Sequence, residues 1–185
     1  MHPSLLTFTG LLIAAGFYAG AAHADQEALI AFENARIITA TKQEVLEDAT
    51  LLIRGDRVIQ VGKSSQVGIP SGAQRINASG KTIVPAFIDT HLHTNQSASD
   101  LLRDLRRLAW FGVGTVASLG VDTDEPAYSM RNNPVDGAAR FLTAGRGITA
   151  PEVGRETAPY WVETEEEARS AVRENVQRGV DLIKL

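Results

Sequence analysis

The sequence predicts an α/β protein: a small antiparallel β region, then four strand–helix steps that build a parallel sheet. Three observations predict it. Short apolar runs separated by Gly, Pro and Asp turns fill residues 28–83. After Ile83, strand-length apolar runs alternate with helical stripes, which is the rhythm of βαβ units. The 185 residues are 44% apolar and 22% charged, a composition that suits a packed core and argues against wholesale disorder.

Composition also excludes whole classes of function. With no cysteine there is no disulfide framework, thiolate nucleophile, Cys-based zinc finger, iron–sulfur cluster or lipoprotein anchor. The 18 basic residues are scattered among 22 acidic ones and the net charge is −4, so no nucleic-acid footprint is present.

The first segment reads as an address. Residues 1–24 carry no Asp, Glu, Lys or Arg, and the run Leu5–Ala22 is apolar or small. It falls just short of the roughly 20 residues a spanning helix needs. Ala22-His23-Ala24 is an A-x-A cleavage pattern, followed at once by Asp25-Gln26-Glu27. A signal peptide cut after Ala24 is expected, with export to the periplasm or medium and no stable membrane anchor after cleavage. Its n-region departs from pattern in having only His2 and the amino terminus for charge. The alternative is an uncleaved anchor helix.

The elements follow in order. Residues 35–39 read as a strand. Residues 49–54 and 57–61 flank Gly55-Asp56, a hairpin turn. Residues 74–78 follow the Pro70-Ser71-Gly72 turn as another strand, and Ser79-Gly80 leads into Lys81–Val84. A β region of about 50 residues buries too little surface to stand alone. The run Thr82–Ile88 suits a buried parallel strand. Residues 99–111 carry an apolar stripe at Leu101, Leu102, Leu105, Leu108 and Ala109, and Gly112 suits the residue just past a helix. Residues 113–119 and 139–144 read as strands, with a short helix at 126–133. Thr164-Glu165-Glu166-Glu167 is a capping box, opening a helix whose face is Ala168, Ala171, Val172 and Val176. Residues 180–185 read as a fourth strand.

The segment that carries chemistry is Ile83-Val84-Pro85-Ala86-Phe87-Ile88-Asp89-Thr90-His91-Leu92-His93-Thr94. Residues i and i+2 of a strand share a side, so His91 and His93 project together with Asp89 behind them. They sit at the C-terminal end of the strand, where parallel α/β enzymes build their sites. Two imidazoles there can hold one metal ion. The alternative is a pair of pocket histidines with no metal. Of four histidines, only these two lie beyond the expected cleavage point. Asp89 reads as an orienter of the strand end rather than a base.

The string V-P-A-F-I-D-T-H-L-H resembles the signature of the amidohydrolase superfamily, P-G-[LF]-[IV]-D-x-H-x-H, with Ala86 in place of the usual Gly. Phe111-Gly112-Val113-Gly114-Thr115-Val116 resembles the family's F-G-V-T-T-V entry to strand two, and Ala117-Ser118 stand where Arg-Asp usually follows. Gly179-Val180-Asp181-Leu182-Ile183-Lys184 is similar to the G-A-D-x-I-K of strand four in the branch that resembles prolidases and imidazolonepropionases. The resemblance spans residues 33–185. It implies a small β-sandwich-like part at 25–82 and, at 83–185, the first four βα units of a (β/α)8 TIM-like barrel. It implies a hydrolase of amide or peptide-like C–N bonds that acts through metal-activated water. The divalent metal would be two zinc ions, with His91 and His93 as ligands and Lys184, carboxylated by CO2, as the bridge. Taken without the family, Lys184 reads as a snorkelling residue at a strand end. A carbamate needs a neutral amine, so burial or nearby cations must favour that form.

In the family, two further histidines and the proton-transferring aspartate lie beyond strand four, and a full barrel takes about 250 residues. The chain is therefore expected to be the N-terminal part of a longer enzyme and inactive by itself, with its catalytic acid–base residue unknown. The expected substrate is a small peptide-like or N-acylated molecule. A homo-oligomer is open, and no nucleic-acid partner is expected. Arg146, in the Gly145-Arg146-Gly147 turn, is a candidate clamp for a substrate carboxylate. A solvated Arg in a Gly-rich turn is the competing reading. Tyr160-Trp161 reads as loop packing rather than a pocket wall. Two rival functions remain: an ester, lactone or phosphoester hydrolase on the same fold, and a non-catalytic chain.

Overall fold

A computed structural model describes residues 27–41, 45–94, 97–154 and 159–185. The expected signal peptide and its cleavage point lie outside these residues. The chain is a mixed α/β protein whose contacts separate into two units, residues 1–37 with 43–83 and residues 38–42 with 84–185.

The first unit is a five-stranded sheet. Its strands are β1 (Leu29–Ile38), β2 (Val45–Arg54), β3 (Arg57–Lys63), β4 (Gln74–Asn77) and β5 (Thr82–Ile83), in the order β3-β2-β1-β4, with β5 also on β1. The hairpin forms as read: β2 and β3 are antiparallel about Gly55, whose φ of 54° is the left-handed geometry glycine tolerates. The expectation of a wholly antiparallel region is corrected. β4 and β5 both run parallel to β1, at Ile30–Glu33 and Arg36–Ile37 respectively. The chain leaves β3, turns at Pro70-Gly72 and re-enters beyond β1, so it arrives running the same way. Small residues let the layers approach: the core is Ala35, Ile37, Ala49 and Ala78, with Phe32, Leu46, Leu51 and Ile83 packed against it. Arg75 donates two bonds to Glu33 across the β1–β4 pair.

The second unit is built on a three-stranded parallel sheet, β6 (Phe87–Leu92), β7 (Val113–Ser118) and β8 (Arg140–Thr143). Helix α1 (Ala98–Trp110) connects β6 to β7, and α2 (Glu125–Asn132) connects β7 to β8. Ser97 caps α1 through the Asp100 amide, and Gly112 follows it at φ 85°. The stripe read from sequence buries Leu101 and Leu105 against Val116, Ala127, Ala139 and Phe141. Alternation along β7 sends Val116 to that helical face, while Ala117 joins Leu119, Ala144 and Leu182 in a separate cluster. Beyond β8 come β9 (Ile148–Thr149), β10 (Tyr160–Trp161), parallel to it, and α3 (Glu165–Gln177).

Three expectations are corrected here. Thr82–Ile88 is not one buried strand: β5 ends at Ile83, Pro85 has no amide to give a ladder, and β6 starts at Phe87. Phe87 and Ile88 are each 65% exposed, because β6 is an outer strand paired with β7 alone among the described residues. The inner face of α3 is Ala171 and Asn175, whereas Val176 is 61% exposed. Asn175, one helical turn after Ala171, takes the inward place by donating to the Arg146 carbonyl at 2.7 Å. Residues 180–185 do not form a strand. Asp181 N–H donates to Thr143 O and Lys184 O accepts from Ile148 N–H, and these two bonds lie too far apart to make a ladder.

Candidate metal centre

The site begins where β6 ends. His91 is in the strand and His93 lies one residue past it. Both are exposed, their ring centroids are 5.0 Å apart, and the rings meet edge to face. The two Nε2 atoms approach to 3.2 Å. In a metal-free chain that distance is a ring-to-ring hydrogen bond. It is also close to the ~3.3–3.4 Å that separates two nitrogens held at ~2.0–2.1 Å on one tetrahedral ion. The pair therefore fits a shared cation with little movement of either ring. Asp89 does what an orienter does, through the backbone: its Oδ1 accepts from the His91 amide at 3.0 Å. Among the described residues no third histidine or carboxylate joins the pair in a metal-binding cluster.

Lys184 comes to the same place from the far end of the unit. It and His93 line one cavity of about 410 Å3, together with Leu119, Gly120, Gly147 and Ile148. Glycine is required where the lysine passes. A Cβ at Gly120, whose φ is 90°, would stand 3.3 Å from Lys184 Cγ and 3.2 Å from Gly147 Cα. Backbone bonds tie these segments together: Gly147 N–H donates to Gly120 O at 2.8 Å and Ile148 N–H to Lys184 O at 2.9 Å. Asp181 anchors the segment, accepting from the Thr143 amide and from the Arg131 guanidinium. Burial would raise its carboxyl, but these donors outweigh burial and hold it below the usual range.

Arg146 is placed differently. Its guanidinium stacks over the Tyr160 ring at 4.0 Å and donates to Pro159 O at 3.1 Å. It does not line the cavity shared by His93 and Lys184. Burial, with Glu174 acting in the same sense, pushes the Tyr160 phenol up to about 12.

One residue at the site escaped the sequence reading. Asp122 is 2% exposed, and its carboxylate accepts from three hydroxyls: Thr94 and Ser118, each at 2.9 Å, and Thr143. Its sequence signal is faint. Val121-Asp122-Thr123-Asp124 is a polar loop with two aspartates, and only the fold shows which turns inward. Asp124 takes the N-cap position of α2.

No protein-family model matches the chain. It is 26% identical over 137 residues to an imidazolonepropionase of Paenarthrobacter aurescens, covering 70% of this chain and 31% of that protein. It is 30% identical over 78 residues to an adenine deaminase of Cenarchaeum symbiosum, covering 42% and 13%. Among solved structures, a Bifidobacterium longum protein assigned as a prolidase superposes with a TM-score of 0.65 at 27% identity, covering 85% of this chain and 40% of that one. The ochratoxinase of A. niger superposes at 0.67 with 17% identity, a likeness of fold alone. The chain thus spans about a third of the length of the longer-matching curated relatives and under half of the solved chains. An H-x-H at the end of a strand, a parallel βα sheet behind it and relatives of these kinds agree with one another: the chain is similar to members of the amidohydrolase superfamily, on its prolidase- and imidazolonepropionase-like side.

Proposed function

We propose that this chain carries the metal-holding first part of an exported hydrolase that cuts C–N bonds in small peptide-like or N-acylated substrates. The observation that carries the reading is the convergence of His91 and His93 Nε2 atoms at 3.2 Å, on a strand end whose His93 shares a cavity with Lys184. Superfamily members generally use divalent metals, and relatives named imidazolonepropionase and deaminase support C–N chemistry. In this reading β6-α1-β7-α2-β8 are successive βα units of a (β/α)8-type barrel, residues 180–185 belong to its fourth, and residues 25–82 form the β-sandwich-like part.

The metal, two zinc ions in this reading, would supply Lewis acidity and a water acidified toward neutral pH. The chain's own residues do the rest. His91 and His93 hold the ion through Nε2, and Asp89 fixes the backbone from which His91 projects. Lys184 would be the further donor if carboxylated, because a carbamate offers anionic oxygens where an ammonium has no lone pair. Gly120 leaves room for that side chain, and Leu119 and Ile148 line the same cavity. No residue of this chain is assigned the proton transfer to the leaving nitrogen.

The test is metal binding. The protein should take up zinc, and His91→Ala and His93→Ala should each weaken binding at least tenfold, about 1.4 kcal/mol. Wild-type affinity in either variant would overturn the ligand assignment. Protein purified from its native source should hydrolyse dipeptides or N-acyl amino acids faster than lactones, and the reverse order would favour the ester reading.

A further inference from the structure

Asp122 gathers the ends of all three strands of the β6-β7-β8 sheet. Ser118 is the last residue of β7, Thr143 is the last of β8, and Thr94 lies two residues past β6. Their hydroxyls converge on one carboxylate, Thr94 and Ser118 on Oδ1 and Thr143 on Oδ2. The hub is cross-linked. Thr94 Oγ1 and Ser118 Oγ are 3.1 Å apart, and the Thr94 amide donates to Ser118 Oγ at 3.3 Å. Asp122 N–H donates to Gly145 O, and Tyr128 hydroxyl donates to Asp122 O. Among the described residues its side-chain partners are hydroxyls, not a cation. A carboxylate buried among hydroxyls, with no cation within hydrogen-bond reach and only the charge of nearby His93 to favour it, is a costly way to fasten strands that backbone bonds already pair.

What the hub adds is position at one point. Thr94 immediately follows His93, and His93 lies outside the ladder: the last β6 pairing is Leu92 with Ser118, and Leu92 O accepts from Leu119 N–H. Among the described residues, the backbone just past Leu92 is fixed through Thr94, by its amide and its hydroxyl. An imidazole that must meet its neighbour at 3.2 Å has little tolerance for backbone drift.

We propose that Asp122 is a positioning residue for the metal pair, fixing the His93 backbone through the Thr94 hydroxyl. The inference rests on reading His91 and His93 as ligands, and it assigns to Asp122 and Thr94 a role that the H-x-H motif does not contain. Loss of a partner behind a metal ligand weakens affinity by about 10–100-fold.

The experiment measures zinc affinity of the metal-free protein by competition with a chromophoric chelator, and urea unfolding of the same samples without metal. Thr94→Val, nearly the same shape without the hydroxyl, should weaken zinc binding about tenfold. Thr94→Ser, which restores the hydroxyl, should return it to within about threefold of wild type. Asp122→Ala should weaken binding at least as much as Thr94→Val, and the double variant should bind no more weakly than Asp122→Ala, because both break one link. If Asp122→Ala does not fold, the Thr94→Val and Thr94→Ser pair decides the matter. Thr94→Val with wild-type zinc affinity, whatever its urea midpoint, would overturn the inference and leave the hub a strand fastener. A double variant that binds more weakly than Asp122→Ala would overturn the shared link. Wild-type protein that binds no zinc, or His93→Ala that binds it normally, would instead overturn the ligand reading and this inference with it.

Discussion

The Asp122 carboxyl titrates out of the ordinary because of where it sits. Burial raises it above 3.8, and bonds from Thr143, Ser118 and Thr94, with the charge of nearby His93, offset that rise only in part. A carboxyl raised on folding binds its proton more tightly in the native state. Its contribution to stability is therefore fully present below pH 3.8 and is lost as pH rises through the raised value. Glu33 moves the other way, held low by the bonds from Arg75, so it favours the fold above its ordinary 4.5. The two opposing trends separate by difference. Urea unfolding of wild type and Asp122→Asn from about pH 3 to 7 should show the variant gaining stability relative to wild type as pH rises. A pH-independent difference would show that burial does not perturb this carboxyl. Gly145 shows another local demand. Its φ is 64°, and an added Cβ would stand within 2.9 Å of Asn175 Oδ1, Val180 Cγ1 and Tyr128 Oη. The turn that carries Arg146 is thus shaped by a residue with no side chain.

Between elements, two departures from the family pattern explain each other. Ala86 stands where the signature has Gly, and Gly114 stands where F-G-V-T-T-V has its first Thr. A Cβ at Gly114 would lie 2.7 Å from the Ala86 Cβ, so the methyl just before β6 occupies the space that β7 has given up. Gly114→Thr alone should cost about 1–2 kcal/mol by overpacking. Adding Ala86→Gly should recover most of it, giving a coupling of about 1 kcal/mol in a double-mutant cycle read by urea unfolding. Additive costs would show that the two positions do not sense each other. The same scale explains the segment 180–185. Its apolar run satisfies a strand pattern, yet its backbone bonds are scattered, from Val180 to Asn175, from Asp181 to Thr143 and from Ile148 to Lys184, and the Asp181 carboxylate accepts from the Thr143 amide and Arg131.

At the scale of the whole chain, the described residues hold two units of different construction, one a mixed sheet cored by alanines, the other a parallel sheet covered by helices. No helix among them is long and apolar enough to cross a membrane. The proposal of export rests on residues 1–24, where charge is absent until Asp25. Protein recovered from the periplasm or medium should begin at Asp25 by N-terminal sequencing, and a chain still starting at Met1 would contradict cleavage after Ala24.

Local chemistry alone determined a good deal. The Gly55 hairpin, the Leu101–Leu105 stripe of α1, the Thr164–Glu167 capping box and the H-x-H pair are each written within a few residues, and each depends on short-range geometry that the backbone enforces. Tertiary structure decided whatever depends on residues far apart in sequence. The direction of β4 and β5 depends on which side of β1 the chain re-enters. The inward turn of Asn175 depends on a carbonyl 29 positions away. The placing of His93 and Lys184 on one cavity depends on segments more than 90 residues apart, with Gly120 leaving space beside the lysine. Asp122 was illegible for the same reason. A loop aspartate shows no pattern until three strand ends present hydroxyls to it, and those hydroxyls come from positions 94, 118 and 143.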